Sequence, residues 1–319
     1  MKEKRYKKII IANEKEKMVE YSTKKGSIFK LSEGTNGELI ITGIDIEVAP
    51  NVYYENYANP PIPKGYRHIG NETWETGFRI ERISDGSQFT WIPVGYLNPD
   101  GTLNGKEFSE RFGRRNYCKN HFDEYLYHEN LNGELLLQFE SVKKYGGFYI
   151  SSYNISKSSE GRPQSLKGKM PWTNISFFEA KKIAERMENN ETVKSHLTFG
   201  AEYDCILAWF IKSAERTIEE IKDDSTHWGN YENTNIDSPG RKERTGVNKL
   251  FCINNIFDFA GNVDEWTQEE ARKTGSRIYT KRGGSCENVG FQYPVARRDC
   301  YYGSDSYPYT GFRVALCIK

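Results

Sequence analysis

Hydrophobic and polar positions along this chain alternate mostly in short bursts, and only two stretches carry a helical period. Residues 7–11, 28–31 and 38–46 are brief apolar or β-branched runs separated by turn residues such as Lys25-Gly26, which predicts three strands. Asn59-Pro60-Pro61-Ile62-Pro63 then interrupts the pattern, because proline donates nothing to a ladder and biases its predecessor toward extended geometry. This places a boundary between a small β-rich module at 1–63, ending in a proline-rich linker, and a second domain at 64–319. Residues 77–83 and 88–94 flank Ser84-Asp85-Gly86-Ser87, a hairpin signal in which Asp-Gly supplies positive-φ positions. Residues 98–105 are turn-rich, and 146–155 predicts a further strand.

The two helical stretches lie close together. In the first, Ser176 caps and Glu179 follows three residues on, with Phe177, Ala180, Ile183, Ala184 and Met187 on one face, predicting a helix to about 188. The second opens at Thr198 or Gly200 and buries Ala201, Cys205, Ala208 and Trp209. From 245 to 316 short strands alternate with long loops rich in Tyr, Asn, Asp and Gly. The class is α+β.

Composition narrows the functions. An aromatic content of 14% argues against disorder, since disordered chains lack large apolar groups. Lys+Arg 45 against Asp+Glu 44 leaves a net charge of +1, which excludes a globally basic nucleic-acid binder. No run approaches the roughly 20 apolar residues of a membrane span, so no membrane insertion is expected. Lys2, Lys4, Arg5, Lys7 and Lys8 precede only four apolar residues, too few for a secretory core of about 7–15, so no signal peptide is expected. The six cysteines (Cys118, Cys205, Cys252, Cys286, Cys300 and Cys317) are scattered without a CxxC pair, which suits reduced, buried thiols.

A series of motifs appears in order over the second half. Gly147-Phe148-Tyr149-Ile150-Ser151 is followed by Pro171-Trp172-Thr173-Asn174-Ile175-Ser176-Phe177-Phe178-Glu179-Ala180 and Leu197-Thr198-Phe199-Gly200-Ala201-Glu202-Tyr203. Then come Ile256-Phe257-Asp258-Phe259-Ala260-Gly261-Asn262-Val263-Asp264-Glu265-Trp266-Thr267, Lys281-Arg282-Gly283-Gly284-Ser285, Ala296-Arg297-Arg298-Asp299 and Gly311-Phe312-Arg313-Val314-Ala315. The series resembles the formylglycine-generating-enzyme-like family, and with the strand at Trp91-Ile92-Pro93-Val94 it covers about four fifths of the chain. The resemblance implies a C-type-lectin-like domain, here preceded by the small β-rich module: a twisted antiparallel core, two flanking helices and function-bearing loops. The motif residues themselves make physical sense as scaffold, with Trp266 anchoring the core and Arg313 pairing a buried carboxylate such as Glu265 or Glu202.

Catalytic members of that family bind copper through two cysteines shortly after the Gly-Gly-Ser motif, as soft thiolates favour Cu(I). Here Cys286 follows directly and has no partner until Cys300, so the copper pair is missing. The iron-binding relatives use a three-histidine cluster in a separate helical domain, which five histidines in this chain do not reproduce. His121 and His128, with Glu124 between them, could share a helix face, but no further ligand is singled out and a surface or capping role is preferred. HExxH, GxSxG, GxGxxG and GxxxxGK[ST] are absent. The expectation is a chain that is not an enzyme and requires no cofactor. The resemblance also implies a structural calcium held by Glu265 with Gly261 and Val263, oxygen ligands of the kind calcium takes.

Binding is the remaining expectation. The segment 293–310 displays Tyr293, Arg298, Asp299, Tyr301, Tyr302, Asp305, Tyr307 and Tyr309, and a second loop carries Trp228 and Tyr231. Tyrosine offers rigid amphipathic contact area and carboxylates accept from hydroxyls, a mixture suited to protein or glycan surfaces. By analogy with phage and prophage structural proteins, the expected role is a virion component assembled in the bacterial cytoplasm. Its N-terminal module would join other particle proteins, and its loops would meet a host-surface glycan or protein in multimeric display. Two alternatives stay open: a copper- or iron-dependent oxidase, and a variable protein of a diversity-generating retroelement, whose diversified residues sit just before the terminal Gly-Phe-Arg strand.

Overall fold

A computed structural model describes residues 28–33, 39–44, 60–94, 112–115, 117, 132–213, 215–235, 239–273 and 276–319. The strand expected at 7–11, the turn-rich stretch 98–105 and the His121, Glu124 and His128 group lie outside these residues. Two of the early apolar runs form an antiparallel hairpin, β1 (Ile28–Glu33) and β2 (Leu39–Ile44), with Ile28 opposite Ile44.

The chain continues through β3 (Tyr66–Ile69), β4 (Arg79–Arg82), β5 (Gln88–Pro93), helix α1 (Gly133–Tyr145) and β6 (Gly147–Ser151). Three two-residue strands follow, β7 (Ser156–Lys157), β8 (Pro163–Gln164) and β9 (Ile175–Ser176), then α2 (Phe177–Met187), β10 (Val193–Leu197), α3 (Gly200–Lys212) and α4 (Ile218–Lys222). The last part holds β11 (Cys252–Ile253), β12 (Ile256–Phe257), β13 (Asp264–Lys273), β14 (Ser276–Arg282), β15 (Arg298–Tyr301), β16 (Ser306–Tyr307), β17 (Thr310–Phe312) and β18 (Val314–Ile318).

Six strands make one antiparallel sheet in the order β10-β18-β6-β5-β4-β3, so the last strand of the chain lies inside it. Both faces are covered, and successive residues therefore feed opposite cores. Phe148 and Ile150 pack with α3 residues Tyr203, Ile206 and Phe210, while Tyr149 between them joins Trp91, Phe177 and Trp266 on the other side. Burial on both faces explains why β6 and β18 read as continuous apolar runs rather than alternating ones. A second sheet, β15-β14-β13-β17, is antiparallel except for the parallel β13–β17 pair, which sets Asp264, Glu265 and Trp266 beside Thr310, Gly311 and Phe312. Trp266, fully buried, donates its Nε1–H to the Ile175 carbonyl at 2.9 Å and ties this sheet to the approach of α2.

Local expectations were met unevenly. Helix α2 carries the anticipated capping box, with Glu179 N–H donating to Ser176 Oγ at 3.3 Å and Ser176 N–H to Glu179 Oε2 at 3.0 Å. The β4–β5 turn differs: only Gly86 has positive φ, because Asp85 instead spends its carboxylate on Arg82, Ser87 N–H and Ser87 hydroxyl. The sequence pattern did not announce α1, whose apolar residues Leu135–Leu137 sit in a row rather than on a stripe. Its signals are terminal: Asn132 at the start, Lys143 and Lys144 in the last turn, and Gly146 at φ 80° donating to the Val142 carbonyl at 2.7 Å.

A buried charge cluster joins α3 to the second sheet. Arg282 donates to Asp204 at 2.8 Å and to Glu269 at 2.9 Å, and Arg298 donates to the same two carboxylates at 2.7 and 2.6 Å. Arg114 also pairs with Glu269, and the Arg115 backbone N–H reaches Asp204 at 2.7 Å, which fixes the 112–115 segment against the core. Burial by itself would raise the Glu269 carboxyl, but Arg298, Arg282 and Arg114 outweigh it and hold it down to about 2. Such a depressed group contributes stability that is complete above the ordinary glutamate value of about 4.3 and is lost as the pH falls toward 2. Glu269→Gln is therefore expected to cost about 3–5 kcal/mol at neutral pH, since it leaves buried guanidinium groups short of a counter-charge. Urea unfolding at pH 7 and at pH 3 checks this, with the gap between variant and parent narrowing at the lower pH.

Candidate functional site

The turn that leads into β13 is built on two successive left-handed residues, Gly261 at φ +71° and Asn262 at φ +60°. A Cβ on Gly261 would stand 2.2 Å from the Asn230 carbonyl oxygen, so the close approach of the two loops requires glycine. Asn262 Oδ1 accepts from Glu243 N–H at 2.8 Å and from Asn230 Nδ2 at 3.2 Å, stitching three loops together.

Glu265, at the start of β13, faces inward. Its Oε1 accepts from Arg313 Nε at 2.6 Å and from Asn154 Nδ2 at 2.7 Å, while Arg313 also donates to the carbonyls of Ser151, at 3.0 Å, and Phe257. Burial pushes the Glu265 carboxyl up to about 7 against the pull of Arg313. Of the two partners expected for Arg313, Glu265 is the one used; Glu202 takes His196 at 2.9 Å and Gln138 at 2.6 Å. Glu265, the one carboxylate of the calcium set expected with Gly261 and Val263, thus has its Oε1 engaged by Arg313 and Asn154, and among the described residues no three His, Cys, Asp or Glu side chains converge.

The expected ligand residues divide by burial. Trp228 is 3% exposed, Tyr231 0% and Arg298 1%, so these three are corrected from surface to interior. Trp228 packs edge-on to Phe210, the Tyr231 hydroxyl donates to the Gly283 carbonyl at 2.9 Å, and Arg298 belongs to the charge cluster. Large aromatic rings stabilise a loop-rich core, and no sequence pattern separates that use from display.

The remaining seven, Tyr293, Asp299, Tyr301, Tyr302, Asp305, Tyr307 and Tyr309, are at least partly exposed along one loop face. Lys281, which the sequence did not single out, lies at its centre. The Lys281 ammonium sits 4.1 Å from the Tyr301 ring centroid and 4.4 Å from that of Tyr307, pairs with Asp264 at 2.9 Å and donates to Thr310 Oγ1 at 3.3 Å. Tyr301 and Tyr307 meet edge to face, and the Tyr307 hydroxyl donates to Asp305 Oδ2 at 3.2 Å. Arg297 lies 4.1 Å from the Tyr293 centroid and pairs with Asp299 at 3.0 Å. Lys242 lies 5.6 Å from the Tyr309 centroid and donates to Thr173 Oγ1 and the Pro308 carbonyl. The face is thus an aromatic and carboxylate surface on which four of the five tyrosine rings lie against the chain's own cations. The signal for Lys281 is its place on β14 directly before Arg282, on the opposite side of the strand from that buried arginine.

Cys286 is completely buried, and desolvation pushes its thiol up to about 12, the protonated form that neither attacks nor ligates readily. Cys300 stands on β15 against Thr280 Oγ1 at 3.0 Å.

An α+β domain with its C-terminal strand inside an antiparallel sheet, two flanking helices and a loop face before that strand has a C-type-lectin-like fold. Residues 118–318 match the sulfatase-modifying factor enzyme 1-like domain. That is well over half of the chain, which therefore belongs to this family. Among solved structures, the chain is similar to CarF, at 16% identity over 72% of this chain and 98% of that one, with a TM-score of 0.44. Variable protein 1 of Treponema denticola aligns at 12% identity over 79% and 99% of the two chains, and PvdO from Pseudomonas aeruginosa at 14% over 73% and 95%, each with a TM-score of 0.44. No curated protein sequence matches the chain.

Lys281→Met is expected to destabilise the protein by about 3 kcal/mol, because Asp264 is left charged and largely buried without its partner. Adding Asp264→Leu should restore most of that loss, and thermal unfolding of the two single variants and the double variant reads the coupling directly.

Proposed function

We propose that this chain is a non-catalytic binding and display protein whose loop face, from Tyr293 to Thr310, contacts a glycan or protein on a host cell surface. The observation that carries the reading is the partly exposed array of Tyr301, Tyr307 and Tyr309 interleaved with Asp299 and Asp305, whose rings lie against Lys281 and Lys242. Prearranged aromatic area with carboxylate acceptors binds with little ordering cost. On this reading the 1–63 module joins the chain to neighbouring proteins of a phage or prophage particle, and several copies displayed together offset weak single-site affinity. The protein would be made in the bacterial cytoplasm and carried on the particle surface. Supporting the non-catalytic part, the cysteine after the Gly-Gly-Ser motif is buried with a raised thiol, and its nearest cysteine in sequence stands on a separate strand.

Two measurements test the proposal. Elemental analysis of the purified full chain is expected to find no stoichiometric copper or iron; either metal, lost on Cys286→Ala, would overturn the reading in favour of an oxidase. The full chain is also expected to bind whole bacterial cells, and a variant with Asp299→Asn and Asp305→Asn to bind at least severalfold more weakly.

A further inference from the structure

Many cations of this domain are paired with carboxylates, as Lys281 is with Asp264 and Arg297 with Asp299. One ribbon departs from that habit. Residues 167–173 and 241–250 carry six Lys and Arg against the single carboxylate of Glu243, a net charge of +5 where the whole chain has +1. Lys167, Lys169, Arg244 and Lys249 are exposed, and among the described residues none of the four makes an ion pair. Three apolar side chains stand open in the same two segments: Met170 at 40%, Val247 at 49% and Leu250 at 63%.

The backbone explains how the segments come together. Gly168 N–H donates to the Thr245 carbonyl at 2.8 Å and Thr245 N–H to the Lys169 carbonyl at 2.8 Å, so the two run side by side. Thr245 itself points inward. Its hydroxyl donates to the buried Asp258 carboxylate at 2.7 Å, and Gly246 N–H donates to the same oxygen at 2.7 Å. A Cβ on Gly246, at φ +76°, would stand 2.4 Å from the Tyr153 ring and 3.2 Å from Lys167 Cγ, so the close approach requires glycine. With 245–246 pinned to the interior, Arg244 and Val247 on either side are exposed, and Arg244 donates to the Gly168 carbonyl at 3.2 Å. Val247 thus follows directly on the residue that lies against Lys167, and Met170 on the residue that bonds Thr245. Asn248 caps the next turn by accepting from Leu250 N–H at 3.0 Å; the turn buries Phe251 and leaves Lys249 and Leu250 open.

From this ribbon we infer that the domain adsorbs to a lipid surface bearing anionic phosphate headgroups, its cations over the headgroups and Met170, Val247 and Leu250 at the acyl boundary. The inference is independent of the loop-face reading, because no residue of 293–310 takes part, and it needs no membrane span. A cluster of four to eight Lys and Arg is attracted by the negative potential of an anionic leaflet. Apolar side chains set among them gain by leaving water for the boundary below the headgroups. A soluble polyanion would satisfy the charges and leave those apolar groups in water. A protein partner is disfavoured by composition, since interface cores are poor in Lys and rich in aromatic residues, whereas the exposed side chains here include three lysines and no aromatic ring.

The test is sedimentation of the full chain with lipid vesicles. Binding is expected to phosphatidylcholine vesicles mixed with phosphatidylglycerol and not to phosphatidylcholine alone. Lys167→Gln with Lys169→Gln is expected to weaken that binding about twentyfold, since each cation near such a surface contributes roughly a factor of five. Val247→Ser with Leu250→Ser is expected to weaken it at least severalfold. Lys143→Gln with Lys144→Gln, exposed on α1, makes the same charge change elsewhere and is expected to bind as the parent does. No binding to the mixed vesicles, parent-like binding by the Lys167 and Lys169 variant, or an equal loss in the α1 variant would overturn the inference. Binding to soluble polyphosphate as tight as to vesicles, with no loss in the Val247 and Leu250 variant, would overturn the lipid surface in favour of a soluble polyanion. Thermal unfolding of every variant is expected to match the parent, which separates lost contact from lost fold.

Discussion

Much of this structure depends on the pairing of Glu265 with Arg313. The carboxylate stands at the head of β13 and the guanidinium at the entry to β18, and the arginine also bonds the carbonyls that end β6 and β12. One side chain therefore joins the six-stranded sheet, the second sheet and a loop hairpin at a point where no solvent can substitute for it. A buried pair of this kind adds little net stability compared with apolar packing, but it is intolerant of other arrangements, so it selects one register among the many that short strands allow. In a domain with strands of two to six residues over most of its length, that selectivity matters more than the energy of any single ladder.

The same logic repeats on the other side of α3. Asp204 and Glu269 are shared between Arg282 and Arg298, with Arg114 added, so helix, sheet and the segment around residue 114 have one charge-balanced junction. These interior ion pairs anchor the strands from which the loops depart. Their consequence for function is rigidity: the loop face before β18 is carried by strands that are tied down at both ends. Lys281 extends that principle to the edge of the surface, where its charge is divided between Asp264 and the faces of two tyrosines.

Such an arrangement separates scaffold from display within a few residues. Arg298 is buried in the junction, Asp299 beside it is partly open, and Tyr301 and Tyr302 differ again, one over Lys281 and one bare. Strand alternation accounts for part of this, since neighbours along β15 point to opposite faces. The rest comes from what the facing elements supply.

The sequence by itself determined the fold, because glycines, apolar runs and paired charges at fixed order are local requirements of one architecture. Ser176 with Glu179 announced α2, Gly261 announced the tight turn, and Arg313 announced a buried carboxylate. What it could not determine is which aromatic residues face water. Trp228 and Tyr231 have the same polar neighbours in sequence as Tyr302, yet two fill the core and one stands open, because burial depends on residues that are distant in sequence: Phe210 for Trp228, Gly283 for Tyr231, Phe178 for the turn of Tyr302. The partner of Glu265 likewise arrives from 48 positions away. Propensity and pattern are short-range properties of a chain, whereas exposure and pairing are set by long-range contacts that exist only once the chain has folded.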